Sequence, residues 1–458
     1  MKTILFYLFL LIVTVSCNRA DQAIYFGGEI INPNSKLVLL LKDEVVIDTL
    51  HLDKNNRFFK KYDTLKPGLY TFKHEPEFQY IFFDKKDSLL VRLNTQNFDE
   101  SLTFSGTGEA KNNFLIELFL KLQEDRNLTF ESVDLEVNNF LLNLAKRQNA
   151  VSQFYNKRKN HIKWSDDFDF YAKGMMDLYF YSLKEFYPMA HQVRTNHNLF
   201  DELPKDYFSF RKQIDFNHAS YTHFPPFMRY LTNYMSNVAQ NESNKFQNED
   251  DFLLRKHILK LQITDTLFKN YETKAKIFSN VAYAYLTEDQ DEENNKKFIE
   301  TYKTLTKGDV VDDDILKIGQ NIVNLSKGNP LPNVCLLNAT ATTVSSEVFK
   351  NKSLIFFWTT KFSAHQTKTF EKILAWQQSH PNYQIIAINL DISKDIWIEE
   401  LKNLNTNQII HFHACDREEI QEKWVVLKLQ KTILLDTSGH IEHAFINMYD
   451  PKFDHYFK

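Results

Sequence analysis

The hydrophobic pattern changes period twice along the chain. Between residues 22 and 105 the apolar positions come in short runs separated by turn residues. Ala23 to Ile31 is one such run, stopped by Asn32-Pro33-Asn34. Lys36 to Leu41 and Glu44 to Leu50 read as a hairpin across Lys42-Asp43. Phe58-Phe59 follows the polar turn Asp53 to Asn56, and Lys66-Pro67-Gly68 marks a turn before Leu69 to Phe72. Gln79 to Phe83 and Ser88 to Leu93 complete the series. Short strands at regular spacing predict a β-sandwich.

From 106 to 327 the pattern turns helical. Phe114, Leu118 and Leu122 share one face, as do Phe298, Tyr302 and Leu305. Phe168 to Tyr187 is apolar on nearly every side and predicts a buried helix. Phe224-Pro225-Pro226-Phe227 is a break before another. Thr287 is read as the cap of the helix carrying Phe298, and Asp312-Asp313-Asp314 as the start of the next, which Gly328 and Pro330 end. The aromatic stripes are read as core.

Beyond 328, strands and helices alternate. The predicted order is strand Ile355 to Trp358, helix Phe362 to Ser379, strand Tyr383 to Asp391 and a helix around Trp397. Strand Ile409 to Cys415, helix Glu418 to Val426, strand Thr432 to Leu435, turn Asp436 to Gly439 and strand His440 to Phe445 follow. Strand–helix–strand with a terminal hairpin is an α/β sandwich pattern. The expected fold class is multidomain α+β: an N-terminal β-sandwich, a helical middle region and a C-terminal α/β domain.

Length and charge narrow the function. The 458 residues call for several domains. A net charge of −4 without a basic stripe excludes a nucleic-acid footprint. The 40 Phe and 21 Tyr beside only 10 Gly fit an AT-rich coding sequence better than an aromatic function. Cys17, Cys335 and Cys415 are the three cysteines, too few for a disulfide scaffold. Gly106-Thr107-Gly108-Glu109 lacks the Lys-Ser/Thr of a phosphate loop and is read as a tight β-to-α connection.

The N-terminus is an address. Lys2 precedes an apolar run, Ile4 to Val15, too short to span a bilayer. Thr14-Val15-Ser16-Cys17 resembles the lipobox of bacterial lipoproteins, with Thr14 in place of the usual Leu. The resemblance implies cleavage before Cys17 and acylation of its thiol, palmitate included. Asn18 is not the Asp of inner-membrane retention. The expected location is the bacterial envelope, on the outer membrane and facing the periplasm. The expected partners are that membrane, through the lipid, and another envelope protein. The predicted layout is a signal peptide over 1–16, a lipidated tether over 17–24, a β-sandwich over 25–105, a helical domain over 106–327 and a last domain over 328–458.

The strand–turn order and Gly106-x-Gly108-Glu109-x-x-Asn112-Asn113 resemble the amino-terminal β-domain of envelope lipoproteins that end in a thioredoxin-like domain. The last domain in turn resembles the thioredoxin-like domain of the thiol-disulfide lipoprotein family, related to the alkyl hydroperoxide reductase group. Phe356 to Thr360, Ile385 to Asp391, Trp424-Val425-Val426 and Thr432 to Asp436 with Gly439 and Ile441 carry that likeness. The family's chemistry needs a thiolate at a helix start, where the helix dipole lowers its pKa. A second cysteine resolves the mixed disulfide. In this sequence the two positions are Phe362 and His365, and Gln430 stands where the family has a cis-proline. A cis bond at a non-proline costs ~2.5–4 kcal/mol, so a trans bond is expected there.

With all three elements gone, the expectation is no catalytic residue and no cofactor: a membrane-anchored binding or scaffold protein. Phe362 to His365 is then read as a packed helix start. Two alternatives stay open. One is an atypical thiol-disulfide oxidoreductase using Cys415 or Cys335, which are otherwise structural or idle thiols. The other is a metal site. His411, His413 and Cys415 alternate on one strand face, and His365 approaches from the loop as a fourth ligand. Same-face neighbours on a strand lie ~6.6–7 Å apart and do not converge on one ion, so no metal is expected there.

Overall fold

The computed structural model describes residues 22–243, 251–288, 292–306, 312–391, 393–404, 406, 408–450 and 453–457. Cys17 and the rest of the predicted lipobox lie outside them. The chain is a mixed α/β protein with several sheets. It divides into two compact units between Asn241 and Glu242, inside the stretch whose pattern turns helical.

The first unit begins with eight strands: β1 (Ile24–Ile31), β2 (Leu37–Lys42), β3 (Val45–His51), β4 (Arg57–Tyr62), β5 (Gly68–His74), β6 (Glu77–Phe83), β7 (Ser88–Asn94) and β8 (Thr103–Thr107). They form two four-stranded sheets, ordered β4-β1-β7-β8 and β3-β2-β5-β6. One core joins the two inner faces, with Phe26, Ile30, Leu89 and Leu93 from the first and Val38, Leu40, Phe72 and Ile81 from the second. The β2–β3 hairpin turns on Asp43 and Glu44, both left-handed (φ 52° and 68°), as a two-residue loop matched to strand twist requires.

Four long helices follow: α1 (Glu109–Ser132), α2 (Val137–Ile162), α3 (Asp166–Thr195) and α4 (Pro225–Ser243). The Asn-Asn pair picked out in the sequence docks α1 on both sheets. The Asn112 side chain accepts from the Phe82 amide at 2.7 Å and donates to the Phe82 carbonyl at 2.9 Å. Asn113 repeats this with Phe104, at 2.8 and 2.9 Å. Each carboxamide thus stands in for a strand residue against one sheet. Asp125, Arg147 and Tyr179 tie α1, α2 and α3 together: Asp125 accepts from Arg147 Nε at 2.8 Å and from the Tyr179 hydroxyl at 2.6 Å.

The second unit opens with α5 (Phe252–Leu267), α6 (Tyr271–Glu288), α7 (Glu292–Leu305) and α8 (Asp313–Asn324). Thr287 does not cap α7. It lies inside α6, where its hydroxyl donates to the Ala284 carbonyl at 3.0 Å. Asp312 does cap α8, accepting from the Asp314 amide at 3.0 Å. The remainder is β9 (Cys335–Asn338), β10 (Thr343–Ser345), β11 (Ser353–Trp358), α9 (Ser363–Ser379), β12 (Gln384–Asn389), α10 (Lys394–Asn403), β13 (Ile409–Ala414), α11 (Arg417–Lys423), β14 (Lys431–Leu435) and β15 (Ile441–Asn447). These strands form one seven-stranded sheet in the order β10-β9-β13-β12-β11-β14-β15.

Strands β11, β12 and β13 run parallel, so their carboxyl ends share one edge. Strand β11 is buried along its whole length. Phe356 and Trp358 each pack edge-on to Phe370 of α9, with centroids 5.3 Å apart, while Phe357 faces Trp424 on the opposite side. Gly439 closes the β14–β15 hairpin at φ +83°, where a Cβ would come within 2.0 Å of the Phe349 carbonyl oxygen.

Candidate functional site

The carboxyl edge of β11, β12 and β13 is where a parallel sheet presents its loops to a ligand. Trp358, Asn389, His413 and Leu337 lie side by side in one row across the sheet. Just beyond that row stand Thr359 and Thr360 after β11, Asp391 after β12, and Cys415 after β13.

Asp391 is the acceptor at the centre. It receives the Thr359 hydroxyl, the Thr360 amide at 3.0 Å and Asn389 Nδ2 at 2.9 Å. A carboxylate only accepts, so the amide nitrogen of Asn389 faces Asp391 and its oxygen faces the other way. That oxygen takes the Asp391 amide at 3.0 Å and His413 Nδ1 at 2.9 Å, which makes His413 the Nδ1–H tautomer. Burial pushes the Asp391 carboxyl up, but the donors from Thr359, Asn389 and Thr360 outweigh it and hold the group below its ordinary range. Burial lowers the His413 pKa, and the Asp391 charge opposes that shift. His413 also stacks on Trp397, with centroids 5.3 Å apart. The chain of bonds is a clamp on the loop. Thr359 donates its proton to that anion and accepts from the Lys361 amide at 3.3 Å.

The clamp delivers the chain to Phe362 at the start of α9. Phe362 occupies the N-cap without a side-chain capping bond, and its carbonyl accepts from the Gln366 amide at 2.9 Å. The sequence suggests a packed helix start here, but Phe362 is 59% exposed. Packing beneath the helix is supplied by Phe370 and Ile373, which leaves Phe362 facing outward. His365 is half-buried and burial lowers its pKa. Its neighbours are Thr369, at 3.4 Å, and the Tyr449 ring, at 6.1 Å.

The two cysteines of this unit are bonded to each other. Cys335 opens β9 and Cys415 follows β13, an adjacent antiparallel strand, with Cα atoms 5.4 Å apart. The Cys415 amide donates to the Cys335 carbonyl at 3.2 Å. Cys415 is exposed and Cys335 half-buried. Of the reading as structural or idle thiols, the idle part is corrected: strand pairing brings them together across 80 residues of sequence. It also removes the Cys415 thiolate from the predicted metal set. Of the other candidates, His411 Nε2 meets the Thr406 hydroxyl at 2.7 Å, and burial pushes its pKa down to about 4. His413 is committed to Asn389. His365 reaches Tyr449, beyond β15 at the far side of the sheet. The structure does not bring these four together.

Gln430, where the resemblance puts a cis-proline, precedes β14 on a trans bond; among the described residues the cis bond is Glu75–Pro76. Gln430 lines a cavity of about 370 Å³ with Glu288, Lys431, Asn447 and Tyr456. Lys431 is a feature that sequence reading missed. Its ammonium donates to the Trp424 carbonyl at 2.6 Å and the Val425 carbonyl at 3.2 Å, and lies 3.7 Å from the centre of the Phe445 ring. Burial pushes its pKa well down. The two carbonyls and the ring face favour the charged form. They pin a turn in which Val425 is left-handed, with φ 49°.

No family model matches the chain, and no curated protein matches it. Solved thioredoxin-like structures are similar to a part of it. A domain of a possible thiol-disulfide isomerase from Cytophaga hutchinsonii matches at 16% identity and a TM-score of 0.26, covering 29% of this chain and 90% of that one. A conserved protein of unknown function from Bacteroides fragilis matches at 14% and 0.24, over 27% and 93%. The thioredoxin domain of a thiol-disulfide oxidoreductase from Bacteroides vulgatus matches at 17% and 0.21, over 25% and 85%.

The clamp predicts the effect of removing its acceptor. Asp391→Ala leaves the Thr359, Thr360 and Asn389 donors unpaired and is expected to cost about 1–3 kcal/mol in urea unfolding. The Thr360 amide should exchange faster in hydrogen-exchange mass spectrometry. Since the folded carboxyl titrates low, its contribution is present above the unfolded pKa and lost as pH falls through the folded one. Asp391→Asn should therefore flatten the acid limb of the stability curve. An unchanged Thr360 exchange rate in Asp391→Ala would contradict the clamp.

Proposed function

We propose that this chain is a membrane-anchored envelope lipoprotein whose last domain, 328–458, is thioredoxin-like and binds a partner without exchanging disulfides at the β11–α9 loop. The β-sandwich over 25–105 and helices over 106–327 carry that domain, and a lipid on Cys17 holds the protein on the outer membrane, facing the periplasm. The observation that carries the reading is Phe362. An exposed aromatic ring caps the helix at the position where the resemblance puts a nucleophilic thiolate, beside an exposed Lys361. A phenyl ring cannot ionise or attack sulfur, but an exposed aromatic is a favoured anchor for a protein partner.

A second reading has its own support. The Cys335–Cys415 disulfide reaches the surface at the same edge of the sheet. That pair, and not the α9 helix start, is where thiol exchange would occur.

Insulin-disulfide reduction separates the two. The purified protein is expected to give turnover no faster than a Cys335→Ser/Cys415→Ser variant. Turnover that the double variant loses would replace the binding reading with the second. The anchor is tested apart from this. Wild-type protein should stay in the membrane fraction after a carbonate wash, and Cys17→Ala should leave it; equal retention of both would sink the lipidation.

A further inference from the structure

In the first unit, His191 sits near the end of α3 and is only 1% exposed. Its Nδ1 lies 2.8 Å from the Val133 carbonyl oxygen, a contact only an N–H can make. Nε2 of the neutral ring therefore carries the lone pair. That atom is buried and has no hydrogen-bond partner among the described residues. A buried acceptor left without a donor is destabilising, so its retention needs a reason.

Two further ligand-capable side chains lie beside the His191 ring. Glu136 is the N-cap residue of α2, yet its carboxylate makes no capping bond. His197 follows the helix end, where Asn196 turns left-handed at φ 58° and folds the chain back. The His197 ring comes within 5.8 Å of the His191 ring. Ligand-capable atoms of Glu136, His191 and His197 all lie within 4.8 Å of one another. Glu202 lies 2.7 Å from His197 Nε2, placed to orient that ring or to join as a fourth ligand. The neighbouring Arg194 is held by Asp134, its Nη2 donating at 2.5 Å.

We propose that Glu136, His191 and His197 form a zinc(II) site, with His191 its fixed ligand. Two imidazoles and a carboxylate are a borderline donor set suited to zinc, and they leave a fourth position for water or Glu202. The arrangement behind His191, a backbone carbonyl on Nδ1 and a bare Nε2, is the usual support of a metal-bound imidazole. Tetrahedral zinc needs ligand atoms ~3.4 Å apart, so the set must close slightly. The buried His191 is already placed, and the closure falls to Glu136 and His197, both exposed and able to rotate.

The test is zinc binding to the full-length protein, stripped with chelator and measured by competition with a chromophoric chelator. Wild type is expected to hold one zinc per chain. His197→Ala and Glu136→Gln, surface changes whose folding is checked by circular dichroism, should each weaken binding at least tenfold. His51→Ala, an exposed histidine elsewhere in the same unit, should leave it unchanged. X-ray absorption of the loaded protein should show two imidazoles in the first coordination sphere. No zinc held by wild type, equal affinity in the Glu136 and His197 variants, or a matching loss in His51→Ala would each overturn the site.

Discussion

The hydrogen bonds converging on the Asp391 carboxylate give the loop after β11 its path. Without an acceptor there, the Thr359 hydroxyl and the Thr360 amide would be buried or half-buried donors with nothing to meet. The same carboxylate turns the Asn389 amide, and the turned amide selects the tautomer of His413 on the next strand. One anion thus sets three consecutive strand ends.

Strand β11 and helix α9 are held by the clamp and by Phe356, Trp358 and Phe370. None of that packing involves positions 362 or 365. Phe362 is therefore free of that packing and points into solvent. At the other side of the same edge the disulfide joins β9 to β13, so the remaining sulfur chemistry is tied to a strand pair. Lys431 supplies the fixed point near Gln430, holding the Trp424–Val425 turn by its ammonium.

Features fixed by local chemistry were legible in the sequence. The first hairpin, which turns one residue later than expected on Asp43-Glu44, the helix that Pro225-Pro226 open, the Asp312 cap and the buried run of β11 each rest on residues within one turn or one strand. Asn112-Asn113 stood out as a junction, though not as two carboxamides docking one helix on two sheets. What failed depended on distant contacts. Thr287 is a good cap by type, but α6 runs through it. Phe362 is apolar and suggests burial, yet burial is decided by what lies above α9. Cys335 and Cys415 are joined only by the β9–β13 register, which no local pattern announces. His191 and His197 span a helix end, so their spacing matches no one-face helical motif.

No thiolate is available in the second unit, because its two cysteines are bonded to each other away from the α9 start. Peptide mapping with an alkylating reagent, applied to protein denatured without reductant, tests this most directly. A linked Cys335–Cys415 peptide is expected, with neither residue alkylated until reductant is added. Alkylation of both cysteines in the unreduced protein would contradict it.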